Sequence, residues 1–124
     1  MSRIETDAGA CAVETGAGAY QLRVESAGHS FLADEPIEMG ELGSGPAPYD
    51  LLCAAMAACT TITLRMVAQR KGLAATIIRT EVSHARVKGD DGGQAGAPVD
   101  LFTRAIFIDG PLDEDARNTL LAMA

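Results

Sequence analysis

Two cysteines, Cys53 and Cys59, lie in the stretch "PYDLLCAAMAACTTITL" (48–64), which carries no charge after Asp50. A cysteine in such a setting can serve as packing, as half of a disulfide, as a metal ligand or as a nucleophile. The stretch predicts a helix, on which six residues give about 600° of rotation and about 9 Å of rise. Because a disulfide needs Cα atoms about 4.4–6.8 Å apart, these two cysteines cannot pair while the helix is intact.

A metal site at these cysteines is disfavoured as well. Ligands on one helix need i,i+3 or i,i+4 spacing, no CxxC occurs, and His29 and His84 lie far away in the sequence. Packing and nucleophile therefore remain open for Cys59. A reactive thiolate in the third helical turn would need a cation from another element. The sequence offers four such cations without placing them: Arg3, Arg23, Arg79 and Arg104.

Composition limits the class of protein. The chain has 124 residues, a net charge of −7 and a pI of about 4.6, so we expect one domain over 1–124 and no nucleic-acid face. The uncharged run from Leu51 to Leu64 is shorter than the roughly 20 residues of a membrane span, which predicts a buried helix. The N-terminus has no apolar signal-peptide core, so we expect a cytoplasmic protein with reduced thiols.

The hydrophobic pattern predicts an α+β fold with an antiparallel sheet, a long buried central helix and a C-terminal helix. A helix that is apolar nearly all round must be covered on every side, which one short second helix can barely do. A sheet on one side and a partner subunit's helix on the other would cover it. The predicted elements are strands over 11–15, 20–25 and 30–33, a loop over 34–48, a helix from Pro48 to about Gly72, strands over 75–88 and 99–108 around a loop at 89–98, and a helix over 112–124.

Several motifs resemble the OsmC/Ohr family of osmotically inducible and organic hydroperoxide resistance proteins. They are Asp-Glu-Pro at 34–36, the Gly-Pro-rich loop that leads into Leu51-Leu52, an Ala-rich turn and Ala58-Cys59, "EVSHARV" (81–87) and "IDGPLDEDARNTLLAMA" (108–124). The resemblance extends over most of the chain from about Asp34 onward.

The resemblance implies an intertwined homodimer of α+β subunits that reduces organic hydroperoxides and, less well, hydrogen peroxide. Cys59 matches the peroxidatic cysteine, whose thiolate becomes a sulfenic acid. It further implies a second, resolving cysteine, a dithiol reductant such as a lipoyl protein, an activating Arg and Glu, and no metal, haem or flavin. In this comparison Cys53 is interpreted as packing.

The sequence departs from the family pattern at three points. The family's resolving cysteine follows the terminal helix in a Cys-Pro-Val segment, and the sequence given ends at Ala124, before that point. Tyr49 stands where the family has its catalytic Glu, so Asp50 is the candidate acidic partner. Arg23 is the candidate thiolate-activating cation, and Tyr49, Met56 and Met66 are candidates for an apolar substrate pocket.

These departures support an alternative hypothesis. A non-catalytic or weakly active dimer of the same fold would bind or sense a small apolar or thiol-bearing ligand. His84 is interpreted as a satisfied structural histidine within a strand, and His29 as a solvated residue in a turn.

Overall fold

The computed structural model describes residues 9–88 and 96–124. The chain divides into two compact units, Met1–Leu51 and Leu52–Ala124, and the first helix runs from one into the other. The single domain over 1–124 stays a prediction. Arg3 and most of the predicted loop at 89–98 lie outside the described residues.

The N-terminal unit holds a three-stranded antiparallel meander. Its strands are β1 (Cys11–Glu14), β2 (Leu22–Ser26) and β3 (His29–Ala33), close to the predicted bounds. The β2–β3 turn consists of Ala27 and Gly28, whose φ angles of 52° and 77° are both positive. Positive φ at both positions suits a two-residue hairpin turn, because it matches the twist of the flanking strands.

The loop after β3 is organised by the carboxylate of Asp34, which is only 2% exposed. One oxygen accepts from the Ser44 hydroxyl (2.6 Å) and backbone N–H (3.2 Å), and the other accepts from the backbone N–H of Glu35 (2.7 Å). The Ser44 hydroxyl is the main cause that lowers the pKa of Asp34, with backbone donors assisting. The predicted loop also contains a short 3₁₀ helix, Ile37–Met39.

The C-terminal unit holds most of helix α1 (Pro48–Lys71), a long hairpin and a short helix. Helix α1 begins with proline, whose missing N–H is not needed there, and ends at Gly72 with φ 64°. The N–H of Leu73 closes the end by donating to Ala68 O (2.8 Å). Strands β4 (Ile77–Lys88) and β5 (Pro98–Asp109) pair antiparallel over 12 positions, and α2 spans Glu114–Ala122.

The prediction of one antiparallel sheet is corrected, since the described strands form two. Strands β4 and β5 pair only with each other, and β1–β3 form the other sheet. The α+β class, the two helices and their order are as predicted.

One face of the β4–β5 hairpin packs against α1. Ile78 and Ile108 face each other across the ladder and are both buried, so even-numbered positions on both strands point to the core. Farther along the same face, the Thr61 hydroxyl of α1 donates to the Thr80 hydroxyl (2.9 Å). The core cluster consists of Leu64, Val67, Ala68, Ala75, Ile78, Ile108 and Leu120.

Within one chain α1 is only partly buried, as the sequence analysis expects of a monomer with one short second helix, and its burial by a partner subunit stays a prediction. Only four of its 24 residues are buried: Thr60, Leu64, Val67 and Ala68. The hairpin covers one side of the helix and the nine-residue α2 is too short to surround the rest. Large apolar side chains on other sides are exposed, among them Leu52 (51%), Ile62 (60%) and Met66 (53%).

By length and composition alone, α1 is apolar enough to cross a membrane. The uncharged run within it, Leu51 to Leu64, is shorter than a membrane span and predicts a buried helix. Core helices of globular proteins have the same length and composition, so this property is weak support for a membrane location. Cytoplasmic location stays a prediction.

The Asp34 contacts predict a specific acid sensitivity. Because the folded-state pKa of Asp34 lies below its unfolded value, its contribution is complete above the unfolded pKa and is lost as pH falls through the folded pKa. Asp34→Asn should therefore lower the free energy of unfolding near neutral pH, and this deficit should shrink on acidification to about pH 3. Urea unfolding at a series of pH values measures it.

Glu35→Gln is the matched control, since it removes a neighbouring carboxylate without touching the Ser44 contacts. We expect its unfolding free energy near neutral pH to stay close to that of the wild type, because the Asp34–Ser44 contacts are intact. A deficit in Asp34→Asn that stays constant with pH would contradict the account.

Candidate active site

Cys59 lies in the middle of α1 with a free, exposed thiol. The helix is continuous through Cys53, so the geometric argument against a Cys53–Cys59 disulfide holds. Cys53 is half-buried, and Cys11 is exposed in β1 of the N-terminal unit. Cys59 is thus the exposed thiol of the C-terminal unit.

Strand β5 brings two further side chains to this part of α1. Phe102 and Arg104 are two positions apart, so both lie on the even-numbered face that packs on the helix. Their cross-strand partners on β4 are His84 and Val82. The same alternation that buries Ile108 thus directs Arg104 toward α1.

Arg104 is anchored to the residue next to Cys59. Its guanidinium Nη1 donates to the hydroxyl of Thr60 at 2.9 Å, and Thr60 is buried at 7% exposure. This bond uses one of the five N–H donors of the guanidinium. A buried hydroxyl that accepts a charge-assisted hydrogen bond fixes the cation in place.

Cys59, Thr60 and Arg104 line one surface pocket of about 310 Å³ together with Met56 and Phe102. The pocket therefore combines a thiol, a hydroxyl and a permanent cation with two apolar side chains. The thiol is the group among them that can act as a nucleophile, and the guanidinium is their permanent positive charge. Methionine and phenylalanine suit the apolar part of a small organic molecule.

Three of the four arginines considered from the sequence lie in the described residues, and of these Arg104 lines this pocket. Arg79 lies on the odd-numbered face of the hairpin, where it covers the ring of Phe107 at 4.0 Å and pairs with Glu81. Arg23 lies in β2 and donates to the Ser30 hydroxyl (3.4 Å). Its assignment as the activating cation stays a prediction.

The candidate acidic partner, Asp50, forms a hydrogen bond at the start of α1. Its carboxylate accepts from the backbone N–H of Ala47 at 2.9 Å, as the third helical residue does in a capping box. Nine positions separate Asp50 from Cys59, which is about 13.5 Å of rise along one helix. Tyr49 lies in the same first turn and is 40% exposed.

Of the two methionines predicted to line a substrate pocket, the structure places one at the Cys59 pocket. Met56 lines the Cys59 pocket, one turn before the cysteine. Met66 lies about two turns after Cys59, is 53% exposed, and is not among the side chains that line the pocket. Among residues 9–88 and 96–124, no three His, Cys, Asp or Glu side chains cluster closely enough to hold a metal ion.

Sequence reasoning overlooked Thr60 and Phe102 and ranked Arg23 above Arg104. The sequence of β5 did contain a signal for Phe102 and Arg104. Once Ile106 and Ile108 are assigned to the core face, period-two alternation places Phe102 and Arg104 on that face too. Thr60 has no comparable signal, because a threonine on an apolar helix is also ordinary packing.

A family model described as OsmC-like protein matches residues 41–124, which are 84 of the 124 residues. The chain belongs to the OsmC-like protein family. No curated protein sequence matches it.

Solved structures of the family share the fold. An organic hydroperoxide resistance protein OsmC from Legionella pneumophila is 21% identical with a TM-score of 0.63, covering 98% of this chain and 83% of its own. An OsmC like protein from Mycoplasma pneumoniae is 16% identical with a TM-score of 0.73, covering 96% and 80%. The organic hydroperoxide resistance protein OhrB of Bacillus subtilis is 20% identical with a TM-score of 0.63, covering 94% and 81%.

These likenesses confirm the resemblance seen in the sequence motifs and the α+β class. At such low identities they establish the shared fold, and a fold by itself does not assign an activity. The chemistry of this chain therefore has to be argued from the Cys59 pocket.

Proposed function

We propose that this OsmC-like protein is a cysteine-based hydroperoxide reductase with Cys59 as the peroxidatic nucleophile. The observation that carries the proposal is the shared pocket of Cys59, Thr60 and Arg104 with apolar walls from Met56 and Phe102. Organic hydroperoxides match this composition, because they join a polar O–O group to an apolar body. Hydrogen peroxide would fit the polar part alone and so would be a poorer substrate.

The chemical step is a displacement at oxygen. The Cys59 thiolate attacks the terminal oxygen of ROOH, so that an S–O bond forms and the O–O bond breaks. The leaving alkoxide takes a proton and departs as the alcohol ROH, and Cys59 becomes a sulfenic acid. Sulfur loses two electrons and the peroxide gains two.

A dithiol closes the cycle. One thiol of the reductant attacks the Cys59 sulfenic acid, releasing water and forming a mixed disulfide. The second thiol of the same reductant then displaces Cys59 and leaves as a cyclic disulfide. A lipoyl protein or a small dithiol supplies both thiols, so this route needs no second cysteine from the chain.

In this proposal Arg104 is the cation that stabilises the thiolate and the negative charge developing on the departing oxygen. Thr60 holds it in position through the 2.9 Å hydrogen bond. The contributions of Arg23 and Asp50, which the resemblance suggested, stay predictions.

The exposed side of α1 supports a homodimer. Leu52, Ile62 and Met66 leave much of their apolar surface uncovered in one chain. Ala54, Ala55, Ala57 and Ala58 provide small side chains that allow another helix to approach closely. A second copy of the chain in the cytoplasm would bury this surface, as the family resemblance implies.

A non-catalytic or weakly active dimer that binds or senses a small apolar or thiol ligand is the second candidate. The observation that favours it is the Asp50 carboxylate, which accepts from the backbone of its own helix start. The acidic group expected to assist Cys59 then serves local structure instead. Slow turnover with retained binding of an apolar hydroperoxide would select this candidate.

Replacement of Cys59 tests the catalytic proposal. With cumene hydroperoxide as substrate and dithiothreitol or dihydrolipoamide as reductant, wild-type protein should consume peroxide catalytically. Cys59→Ser should abolish this, because an alcohol is not ionised at neutral pH and cannot be oxidised to a sulfenic acid. Cys53→Ser is the matched control on the same helix and should retain activity.

Replacement of Arg104 tests its role in the same assay. Arg104→Met should lower kcat/KM about fivefold or more, since a unit charge close to a partly solvated thiolate is worth about 1 kcal/mol. Arg79→Met removes an arginine from the opposite face of the hairpin and should change kcat/KM little. For the preceding test, peroxide turnover that survives Cys59→Ser would refute the assignment of Cys59 as the peroxidatic nucleophile.

A charge on the exposed side of α1 tests the homodimer. Wild-type protein should sediment with the mass of two chains, and Ile62→Glu should shift it toward one, because an unpaired carboxylate would be buried at the interface. Leu121→Glu, at an exposed leucine of α2 (47%), is the control and should leave the mass unchanged. A wild-type mass of one chain at micromolar concentration would contradict the proposal.

A further inference from the structure

A polar cluster on β4 and β5 adjoins the Cys59 pocket. It consists of His84, Asp100 and Arg86, all at even-numbered positions on the face that packs against α1. The His84 Nε2 donates to Asp100 Oδ1 at 2.8 Å, and the Arg86 Nε lies 3.6 Å from the same oxygen. The His84 side chain is 14% exposed, so it is largely buried among these contacts.

The His84 ring also touches the pocket wall. Its centroid lies 5.0 Å from that of Phe102, with the two planes tilted by 43°. Phe102 is directly opposite His84 in the ladder and lines the pocket with Cys59. One imidazole therefore contacts Asp100 through a ring nitrogen and Phe102 through the ring itself.

The two contacts of His84, with Asp100 and with Phe102, restrict the movement of the Phe102 ring. A histidine ring held by a carboxylate cannot turn freely, and a tilted aromatic contact at this distance favours one placement of the neighbouring ring. The register adds a second restraint, since His84–Phe102 and Arg86–Asp100 are neighbouring rungs of one ladder. Phe102 is thereby restrained from the neighbouring strand β4, through the ring of His84.

We propose that His84, held by Asp100, is a positioning residue that fixes Phe102 as the apolar wall of the Cys59 pocket and so sets its preference for bulky apolar substrates. The inference rests on the proposed function, because it deepens the specificity of the same site. His84 does not line the pocket and takes no part in the chemical step.

In the peroxidase assay, His84→Ala should raise KM for cumene hydroperoxide with little change in kcat, since the wall contributes to binding and not to bond cleavage. Turnover of hydrogen peroxide, which has no apolar body, should change little. A general loss of folding would instead lower the rates for both substrates together.

Alkylation of Cys59 tests the inference without needing peroxidase activity. The rates for N-phenylmaleimide and for iodoacetamide are measured at Cys59 by peptide mass spectrometry, and their ratio reports the apolar wall. Phe102→Ala should lower the ratio about fivefold, the scale of one lost aromatic contact, and His84→Ala should do the same. Ser83→Ala, next along β4 on the opposite face, should leave the ratio unchanged.

The Asp100 variants supply rescue by a conservative change. Asp100→Asn keeps an oxygen to accept from His84 and should retain the wild-type ratio, whereas Asp100→Ala should lower it like His84→Ala. A wild-type ratio in His84→Ala or in Phe102→Ala overturns the inference. If wild-type protein does not turn over peroxide but the alkylation ratios change as expected, the proposed function is wrong. The role of His84 in placing Phe102 would then still stand.

Discussion

The period-two alternation of the β4–β5 hairpin determines both the core of the C-terminal unit and its site. Even-numbered side chains face α1, so the positions that bury Ile78 and Ile108 also carry Arg104 and Phe102 toward Cys59. A slip of one residue in the register would turn all of them to the other face. Stability and placement of the cation thus depend on the same strand pairing, which extends over 12 positions without interruption.

The chemical groups differ in how firmly they are held. Thr60 is buried and bonded to Arg104, and Arg104 belongs to a long ladder, so the cation has two independent restraints. The thiol of Cys59 is exposed and projects from a helix whose remaining sides are uncovered in one chain.

Much of the fold could be predicted from the sequence, because its signals are local. Pro48 and Gly72 bound α1, Asp113 caps α2 by accepting from Ala116 N (2.8 Å), and alternation marks the strands. The separation into two sheets could not be predicted in this way, because it depends on which strands meet in three dimensions, and no local pattern reports that.

The site divides along the same line. The role of Cys59 stays a prediction from its motif, and Met56, chosen for its place on the Cys59 face of the helix, lines the same pocket. The placement of Arg104 beside Thr60 needed the strand register, because Arg79 and Arg104 are equally charged in the sequence and the face of the hairpin decides which residues each one meets. Thr60 needed the hydrogen bond itself, and the His84–Asp100 pair needed the ladder that brings residues 16 positions apart together.

Trapping the first oxidation product tests the central claim most directly. Wild-type protein is mixed with an equivalent of cumene hydroperoxide and dimedone, which reacts with sulfenic acids, and the adduct is mapped by peptide mass spectrometry. The account predicts dimedone on Cys59 alone, with cumyl alcohol formed in equal amount. An adduct on Cys11 or Cys53 instead, or peroxide loss with unmodified Cys59, would contradict it.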